Sequence, residues 1–548
     1  MIEIFPHKSQ YLIGEQIVLR INSDEKIKKI HIAIFSLYNK LFELNINRPF
    51  KTKDILVDTS EYKIGGYGVE ANVDTNNDSF KIHTSFDICK NPNDSLRYGF
   101  ISDFDKKDIK NGAIDWLRKC HINIVQFYDW SYRHDHLTSE LSEYTDMMGK
   151  HINRNTIISK NKEANLYGMR GIAYGAVYAA SKSYYESNKE LGFYYPDGKS
   201  ITFIDVFYLM NIERKSSWVA HLINQYYLAI KDMGFSGIHM DTYGFPKTAI
   251  SKIGKDPIVH LDREFKYLIN QTKSELKRRG VNPLLIFNNV GNWPVYATAN
   301  SNVDAVYVEV WDPYDKYHHI SSIIAQAKLT LNKPKPIILA AYLKPFRTES
   351  IESGMNAAKL LMAAIVSSGA YHLLIGENKS VLTQGYYSDY TRLDDKSAEE
   401  IKSYYDFMIR YFDLFYDNSL IDVSFSHFAG DNLEYSSSYK KLSVNPVANN
   451  VWAIIRENKK RKVINLINLC GNNDDCWNKG KNKPKTQKNI KFKVQIDKQI
   501  SGVYIASPDY NNQKMICADF EIIENNRGRF ISFVVDALTY WSVIDIEL

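Results

Sequence analysis

The chain has 548 residues, of which 44% are hydrophobic and 24% charged, with 69 Lys+Arg against 63 Asp+Glu. That mixture excludes a disordered or collagen-like chain. A net charge of +6 spread over so large a surface gives no reason to expect nucleic acid or a membrane as partner.

The start, MIEIFPHKSQYLIGEQIVL, has no positive leader followed by an apolar stretch, and no run reaches the roughly 18 apolar residues that span a bilayer. The chain is expected in the cytoplasm, or exported with its leader removed. Residues 1–95 read as short alternating strands, for example 16–22 (QIVLRIN), 27–38 (IKKIHIAIFSLY) and 67–73 (YGVEANV), with turn chemistry at Gly65-Gly66 and 74–78. Strands of this length and spacing predict an immunoglobulin-like β-sandwich. Asp74, Asn76 and Asp78 superficially resemble a calcium loop, but Ser79 and Ser85 stand where Gly and Glu are needed. No metal is expected there.

From 96 to 415 the rhythm changes to apolar or aromatic runs alternating with helical periodicity. Strands are predicted at 98–104, 122–128, 171–177, 237–240, 284–288, 305–310, 336–343 and 371–376. Helices are predicted at 108–119, 217–233, 261–279, 317–331 and 352–367. Eight βα units in roughly 300 residues predict a (β/α)8 barrel. A doubly wound sheet is the alternative, but its nucleotide-binding versions lack their glycine motifs here. From 416 to 548 strands return, at 451–457, 462–468, 490–494, 502–506 and 529–535, around a polar loop at 471–485. This predicts a C-terminal antiparallel β domain. The five cysteines (89, 120, 470, 476, 517) are too sparse for a disulfide framework. Cys470 and Cys476 read as unpaired thiols flanking a turn.

In a barrel the working residues stand at the C-terminal ends of strands. Those ends supply Tyr128-Asp129-Trp130, His239-Met240-Asp241, Asn288-Asn289, Glu309-Val310-Trp311-Asp312, and His372 with Glu377. Asp241 and Glu309 are acids in otherwise apolar runs, where a carboxylate is costly unless it is hydrogen-bonded or functional. Two acids at the same end of two nearby strands form the pair that acetal hydrolysis needs. Trp311 is expected to raise the pKa of Glu309 and keep it protonated, while a more polar surrounding keeps Asp241 ionised. The aromatic content, 13% with 38 Tyr, suits cores and sugar platforms alike. Tyr128, Trp130, Tyr132, Tyr174, Tyr243 and Trp311 are the candidates. His134, His136, His318 and His319 lack metal-ligand spacing, and the basic run 459–462 reads as a solvated turn. No cofactor is expected.

Several blocks together resemble glycoside hydrolase family 66, which contains endo-dextranases and cycloisomaltooligosaccharide glucanotransferases. They are RYGFISDF (97–104), HINIVQFYDWSYRH (121–134), AYGAVYAA (173–180), GFSGIHMDTYG (234–244), FNNVG (287–291), YVEVW (307–311), AAYL (340–343) and GAYH (369–372), in the family's order. The resemblance implies the same three-part layout and a retaining double displacement on α-1,6-glucan (dextran or isomaltooligosaccharides). The family's nucleophile falls on Asp241 and its acid/base on Glu309. Asp129 matches a residue expected to bind sugar. Trp130, Tyr174, His239, Tyr243, Asn288, Trp311 and His372 are expected beside it. The chain departs from the family at Leu374, where a Glu is usual, and at His239 and Met240. It also lacks the carbohydrate-binding module inserted late in the barrel of cyclising members. Hydrolysis is therefore expected in preference to cyclisation, with the glucanotransferase, or a non-catalytic glucan-binding protein, as the alternative.

Overall fold

Between Ile2 and Cys89 the chain builds two sheets whose alternate residues meet. The computed structural model describes residues 2–60, 62–254, 256–428 and 431–548. One sheet has the order Ile2–Pro6, Ile17–Ile27, Phe50–Val57. The other has the order Tyr11–Leu12, Ser79–Cys89, Gly65–Asp74, Lys29–Ser36, Asn39–Ile46. Leu19 and Ile21 from the first and Ile32, Val69 and Phe86 from the second share one apolar core, as the strand period of two requires. Residues 75–78 form the turn between Gly65–Asp74 and Ser79–Cys89, where the Thr75 N–H donates to the Asp78 carbonyl at 2.9 Å.

The middle of the chain forms a curled, barrel-like sheet. Its strands are β1 (Tyr98–Ile101), β2 (Ile124–Phe127), β3 (Arg170–Ala176), β4 (Gly237–Asp241), β5 (Leu284–Val290), β6 (Ala305–Glu309) and β7 (Ile337–Ala340), each parallel to the next. The eighth position, β8, is split. Tyr371–His372 pairs with β7 and Ile375–Gly376 pairs with β1, so the two pieces bridge the ends of the sheet. The larger helices around it are α1 (Ala113–Lys119), α2 (Arg154–Leu166), α3 (Ser217–Met233), α4 (Leu261–Arg278), α5 (Tyr317–Thr330), α6 (Ile351–Ser367) and α7 (Asp395–Arg410). Side chains alternate strictly. Ile172, Ile286, Tyr307 and Ile338 fill the inside, while Ile238, Met240, Val306 and Val308 pack outward against the helices. Gly237 is there because β4 and β5 run too close for a side chain: a Cβ would meet the Leu284 carbonyl oxygen at 1.9 Å.

Several predicted elements are longer than the real ones, for identifiable reasons. Strand 98–104 stops at Ile101 because the next amides, of Ser102 and Asp103, donate to the Glu377 carboxylate. Strand 336–343 stops at Ala340, after which the chain turns so that Tyr342 faces Glu309. Helix 108–119 begins only at Ala113, behind Gly112 at φ 74°.

After α7 the chain returns to strands. One sheet runs Ile421–Asp422, Val451–Glu457, Arg461–Asn468, Trp541–Glu547, Gly502–Ala506, Ile516–Ala518. A second runs Tyr435–Ser437, Gln487–Gln495, Gly528–Leu538, Phe520–Asn525. The central strands of the first sheet are buried on both faces. Trp452 and Ile454 join the barrel's outer core while Ala453 and Ile455 join the core shared with the second sheet. A strand covered on both sides reads as a continuous apolar run, here VWAII. Of the predicted turn 459–462, only Lys459 and Lys460 lie in the bend; Arg461 and Lys462 open the strand Arg461–Asn468, with Arg461 paired to Asp545 at 2.8 Å. The five cysteines are free.

Charged side chains tie the N-terminal sheets to the barrel. The Arg97 guanidinium pairs with Asp87 at 2.8 Å and both are buried. Asp406 on α7 accepts from His121 at 2.8 Å, Lys402 at 3.0 Å and Thr84 at 3.0 Å.

Candidate active site

The inward-facing positions at the C-terminal ends of β3, β4, β5 and β6 are Tyr174, Asp241, Asn288 and Glu309. Strand alternation puts Asp241 two residues beyond His239, Asn288 two beyond Ile286, and Glu309 two beyond Tyr307, so each caps a stack of interior side chains. A cavity of about 530 Å³ opens above them.

Asn288 joins the two acids. Its Nδ2 donates to Asp241 Oδ1 at 2.7 Å and to Glu309 Oε2 at 3.0 Å. Those two oxygens cannot lie farther apart than these two bonds end to end. That upper limit is compatible with the about 5–5.5 Å between carboxyls used in double displacement, and falls short of the about 6.5–9.5 Å that leaves room for an inverting water. The remaining oxygens are also held. Tyr174 Oη donates to Asp241 Oδ2 at 2.7 Å, and Tyr342 Oη donates to Glu309 Oε1 at 2.7 Å. Every one of these donors is neutral.

Burial therefore dominates the electrostatics. It pushes Asp241 up, and the neighbouring Glu309 carboxylate pushes it further, to about 7, against the hydrogen bonds from Asn288 and Tyr174. Burial pushes Glu309 up as well, against Tyr342, Asn288 and Trp311. Two buried carboxyls this close resist ionising together. This corrects two expectations. Asp241 is as desolvated as Glu309, not more polar in its surroundings. Trp311 is 43% exposed and pulls Glu309 down rather than up. The desolvation of Glu309 comes from its burial beneath Tyr342 and Tyr387, which hydrogen-bond to each other at 3.2 Å.

Of the other predicted site residues, Asp129, Tyr174, His239, Tyr243, Asn288 and Trp311 line the cavity. Asp129 takes φ 47°, and burial together with the Asp146 charge raises its pKa to about 8. His239 bonds to Tyr98 Oη through Nδ1 at 2.7 Å, and burial lowers its pKa to about 3, so the ring is neutral. Tyr243 stacks on Phe203 with centroids 4.0 Å apart. Tyr128 also lines the cavity, but three predicted residues are not brought to it: Tyr132, which packs edge-on against Tyr144 with ring centroids 5.7 Å apart, Trp130 and His372. Trp130 is fully buried beneath it, its indole N–H donating to the Tyr174 carbonyl at 3.0 Å. His372 faces the Ala341 carbonyl at 3.0 Å behind the strand ends. Their positions make Trp130 and His372 supports of the wall. Glu377, also at a strand end, pairs with the buried Lys160 at 3.1 Å outside the cavity.

Sequence reasoning missed Tyr342, Tyr387, Gly385, His134 and the hairpin tip Phe203-Ile204, all of which line the cavity. Tyr342 was legible, since it follows the β7 end within AAYL. Tyr387 and Gly385 lie on a long segment after β8 with no periodic signal. Ile204 and Asp205, with φ 47° and 56°, are the central residues of a turn closed by the Val206 N–H donating to the Phe203 carbonyl at 3.2 Å, in the three-residue loop between Thr202–Phe203 and Phe207–Leu209. Such turns favour Asn and Gly, so a β-branched residue there gave no hint of a turn.

A family model for glycosyl hydrolase family 66 matches residues 6–545, and the chain belongs to that family. A cycloisomaltooligosaccharide glucanotransferase of Niallia circulans is 24% identical over 717 aligned positions, covering 99% of this chain and 72% of that protein. A second enzyme of the same name and organism is 22% identical. Among solved structures, a Paenibacillus sp. cycloisomaltooligosaccharide glucanotransferase complexed with cycloisomaltoheptaose superimposes with TM-score 0.87 at 20% identity, covering 99% of each chain. An α-amylase of Geobacillus thermoleovorans complexed with acarbose gives TM-score 0.53 at 10% identity, over 83% of this chain and 98% of its own. The relatives are glucanotransferases, so the comparisons favour the alternative over the expected hydrolysis. The aligned span of 717 positions exceeds the 548 residues here. The relative therefore carries inserted residues that this chain lacks.

Proposed function

We propose that this member of glycosyl hydrolase family 66 is a retaining enzyme of α-1,6-glucan that transfers a glucanosyl unit to an acceptor hydroxyl, with Asp241 as nucleophile and Glu309 as acid/base. One observation carries the reading: the single Asn288 nitrogen that bonds both carboxylates holds them at double-displacement spacing. In the first half-reaction an Asp241 oxygen bonds to the anomeric carbon. The bond from that carbon to the glycosidic oxygen breaks, and the proton on Glu309 passes to the departing oxygen. In the second half-reaction Glu309 takes the proton of an incoming hydroxyl, whose oxygen attacks the anomeric carbon and releases Asp241. Asn288, Tyr174 and Tyr342 keep both carboxyls aimed, and Asp129 and the aromatic walls bind the sugar rings. The reading takes residues 1–95 as an immunoglobulin-like sandwich, 96–415 as a (β/α)8 barrel and 416–548 as an antiparallel β domain.

Whether the second oxygen comes from a sugar or from water decides between transferase and hydrolase. The curated relatives from Niallia circulans support transfer. The absence of their inserted residues favours a second reading, endo-hydrolysis of dextran. Incubation with dextran, followed by chromatography and a reducing-end assay, separates the two. Transfer predicts cyclic or lengthened products with few new reducing ends. A rise in linear reducing oligosaccharides alone would establish the hydrolase. No product from dextran or isomaltooligosaccharides would reject both readings and leave a glucan-binding protein.

A further inference from the structure

A second cavity, of about 310 Å³, lies at the opposite end of the barrel-like sheet, against the N-terminal ends of β7 and β8 and the C-terminal sheet. Its walls include Lys328, Lys335, Gly369, Tyr371 and Arg456, with one carboxylate, Asp94, at the rim, where it accepts from the Asn91 backbone N–H at 2.8 Å and from the Asn91 side chain. None of them belongs to the catalytic cleft.

Three cations meet here with bonds only to neutral groups. Arg456 is 2% exposed. Its guanidinium donates to the Phe415 carbonyl at 2.6 Å and the Asp417 carbonyl at 3.4 Å, and its Nε has no partner. Lys328 has an exposed stem, but its ammonium turns inward onto the Ser368 carbonyl at 2.6 Å. Lys335 donates to the Ala299 and Ser301 carbonyls, both at 2.8 Å. Among the described residues, none of the three forms an ion pair with a carboxylate; Asp422 acts on Lys328, Asp422 and Asp417 on Arg456, and Asp304 on Lys335, each from farther away. Two of the cations converge on the left-handed turn at Gly369. A Cβ there would stand 2.8 Å from Lys328 Nζ and 3.1 and 3.2 Å from the terminal nitrogens of Arg456.

Buried cations without counter-charge are unfavourable. Burial, and then Arg456, accordingly hold the Lys328 ammonium down at about 7. The donors are also under-used. Arg456 spends two of its five N–H groups and Lys328 one of its three. An anion that fits must bring charge and several acceptor oxygens at once. A halide brings no such array and a carboxylate brings two oxygens, whereas a phosphate brings three or more.

We propose that this cavity, where Lys328 and Arg456 converge beside Gly369 with Lys335 at its wall, is a binding site for a phosphate group, either free or as the head of a small phosphomonoester. The site is remote from the sugar cleft and tethers the C-terminal sheet to the barrel, so its occupant stabilises the fold and takes no part in glycosyl transfer.

The test is calorimetric titration of the full-length protein with inorganic phosphate and, separately, with glucose 6-phosphate, at constant ionic strength set by chloride. Thermal unfolding is followed in parallel. Saturable binding of either probe, with a rise in Tm, supports the site. Binding of inorganic phosphate identifies the free ion as sufficient, and binding of the ester alone shows that the cavity also reads the attached group. Lys328→Met and Arg456→Gln are each expected to weaken binding about tenfold or more, the loss of one charge-assisted hydrogen bond, with activity on dextran unchanged. If Arg456→Gln does not fold, Lys328→Met and Lys335→Met, with their accessible stems, decide the matter. No saturable binding at millimolar concentrations of either probe, or undiminished binding in both lysine variants, overturns the proposal.

Discussion

Buried carboxylates occur in two regions of this molecule, and the regions treat them in opposite ways. At the seam between the N-terminal sheets and the barrel, Asp406 faces Lys402 and His121. Burial alone would push it up, but these partners hold it well below the usual carboxylate range. At the cleft, Asp241 and Glu309 are held by neutral donors, chiefly Tyr174, Asn288 and Tyr342, and burial pushes both up. A cation at the seam fixes the charge permanently, which suits a structural joint. Neutral donors at the cleft orient the carboxyls but leave the proton free to move, which acid–base work requires.

The comparison breaks first on activity. Glu309→Gln is expected to lower turnover of dextran by about 10²–10⁴-fold, and Asp241→Asn by at least as much, while circular dichroism and Tm remain those of a folded protein. A substrate with a good leaving group should partly restore Glu309→Gln but not Asp241→Asn. Equal rescue of both would show that the two acids do not divide the roles as proposed.

It breaks next on stability, with opposite signs. Lys402→Met leaves Asp406 as an unpaired buried charge beside His121 and should destabilise by about 3–5 kcal/mol at pH 7 in denaturant unfolding. Because Asp406 is lowered on folding, its contribution is present above its unfolded pKa and fades as pH falls below about 4. Asp241 is raised on folding. Its folded state holds the proton more tightly, so the favourable contribution lies below about pH 4 and is lost as pH rises through about 7. Asp241→Asn should therefore be more stable than the parent at pH 8, by about 1–3 kcal/mol, with the gain vanishing near pH 4. A loss of stability in Asp241→Asn at pH 8 would mean that the cleft holds its acids as firmly as the seam does.

The smallest effect sharpens the picture at the cleft rim. Ile204 adopts φ 47°, is 52% exposed, and lines the cavity. A left-handed β-branched residue costs about 1–2 kcal/mol, and exposing its side chain adds to that. Ile204→Asn should stabilise the fold by about 1 kcal/mol while raising KM for glucan, since the apolar tip is lost from the wall. Unchanged KM would reduce Ile204 to a turn residue.

Much of this was legible in residue order. The acids in GIHMD and AVYVE, and the alternation that turns them inward, follow from a period of two and from the cost of a carboxylate in an apolar strand. The polar 471–485 segment likewise reads as a loop. Other features were not legible because they depend on distant chain. Trp130 looked like a sugar platform, but Phe235 packs on its ring and removes it from the cleft. Tyr387 reaches Glu309's surroundings from a segment after β8 that has no period to read. Trp311 looked like the source of desolvation and is instead exposed.

The sequence by itself determined which side chains face inward at the strand ends, because that is local stereochemistry repeated along each strand. Only the tertiary structure decided that Asn288 stands between acids from the two strands flanking its own, that among the described residues no cation joins them, and that Lys328 and Arg456 converge at the far end without an ion-pair partner. Those facts depend on how curled strands and packed sheets bring remote residues within hydrogen-bond reach, and no spacing along the chain encodes them.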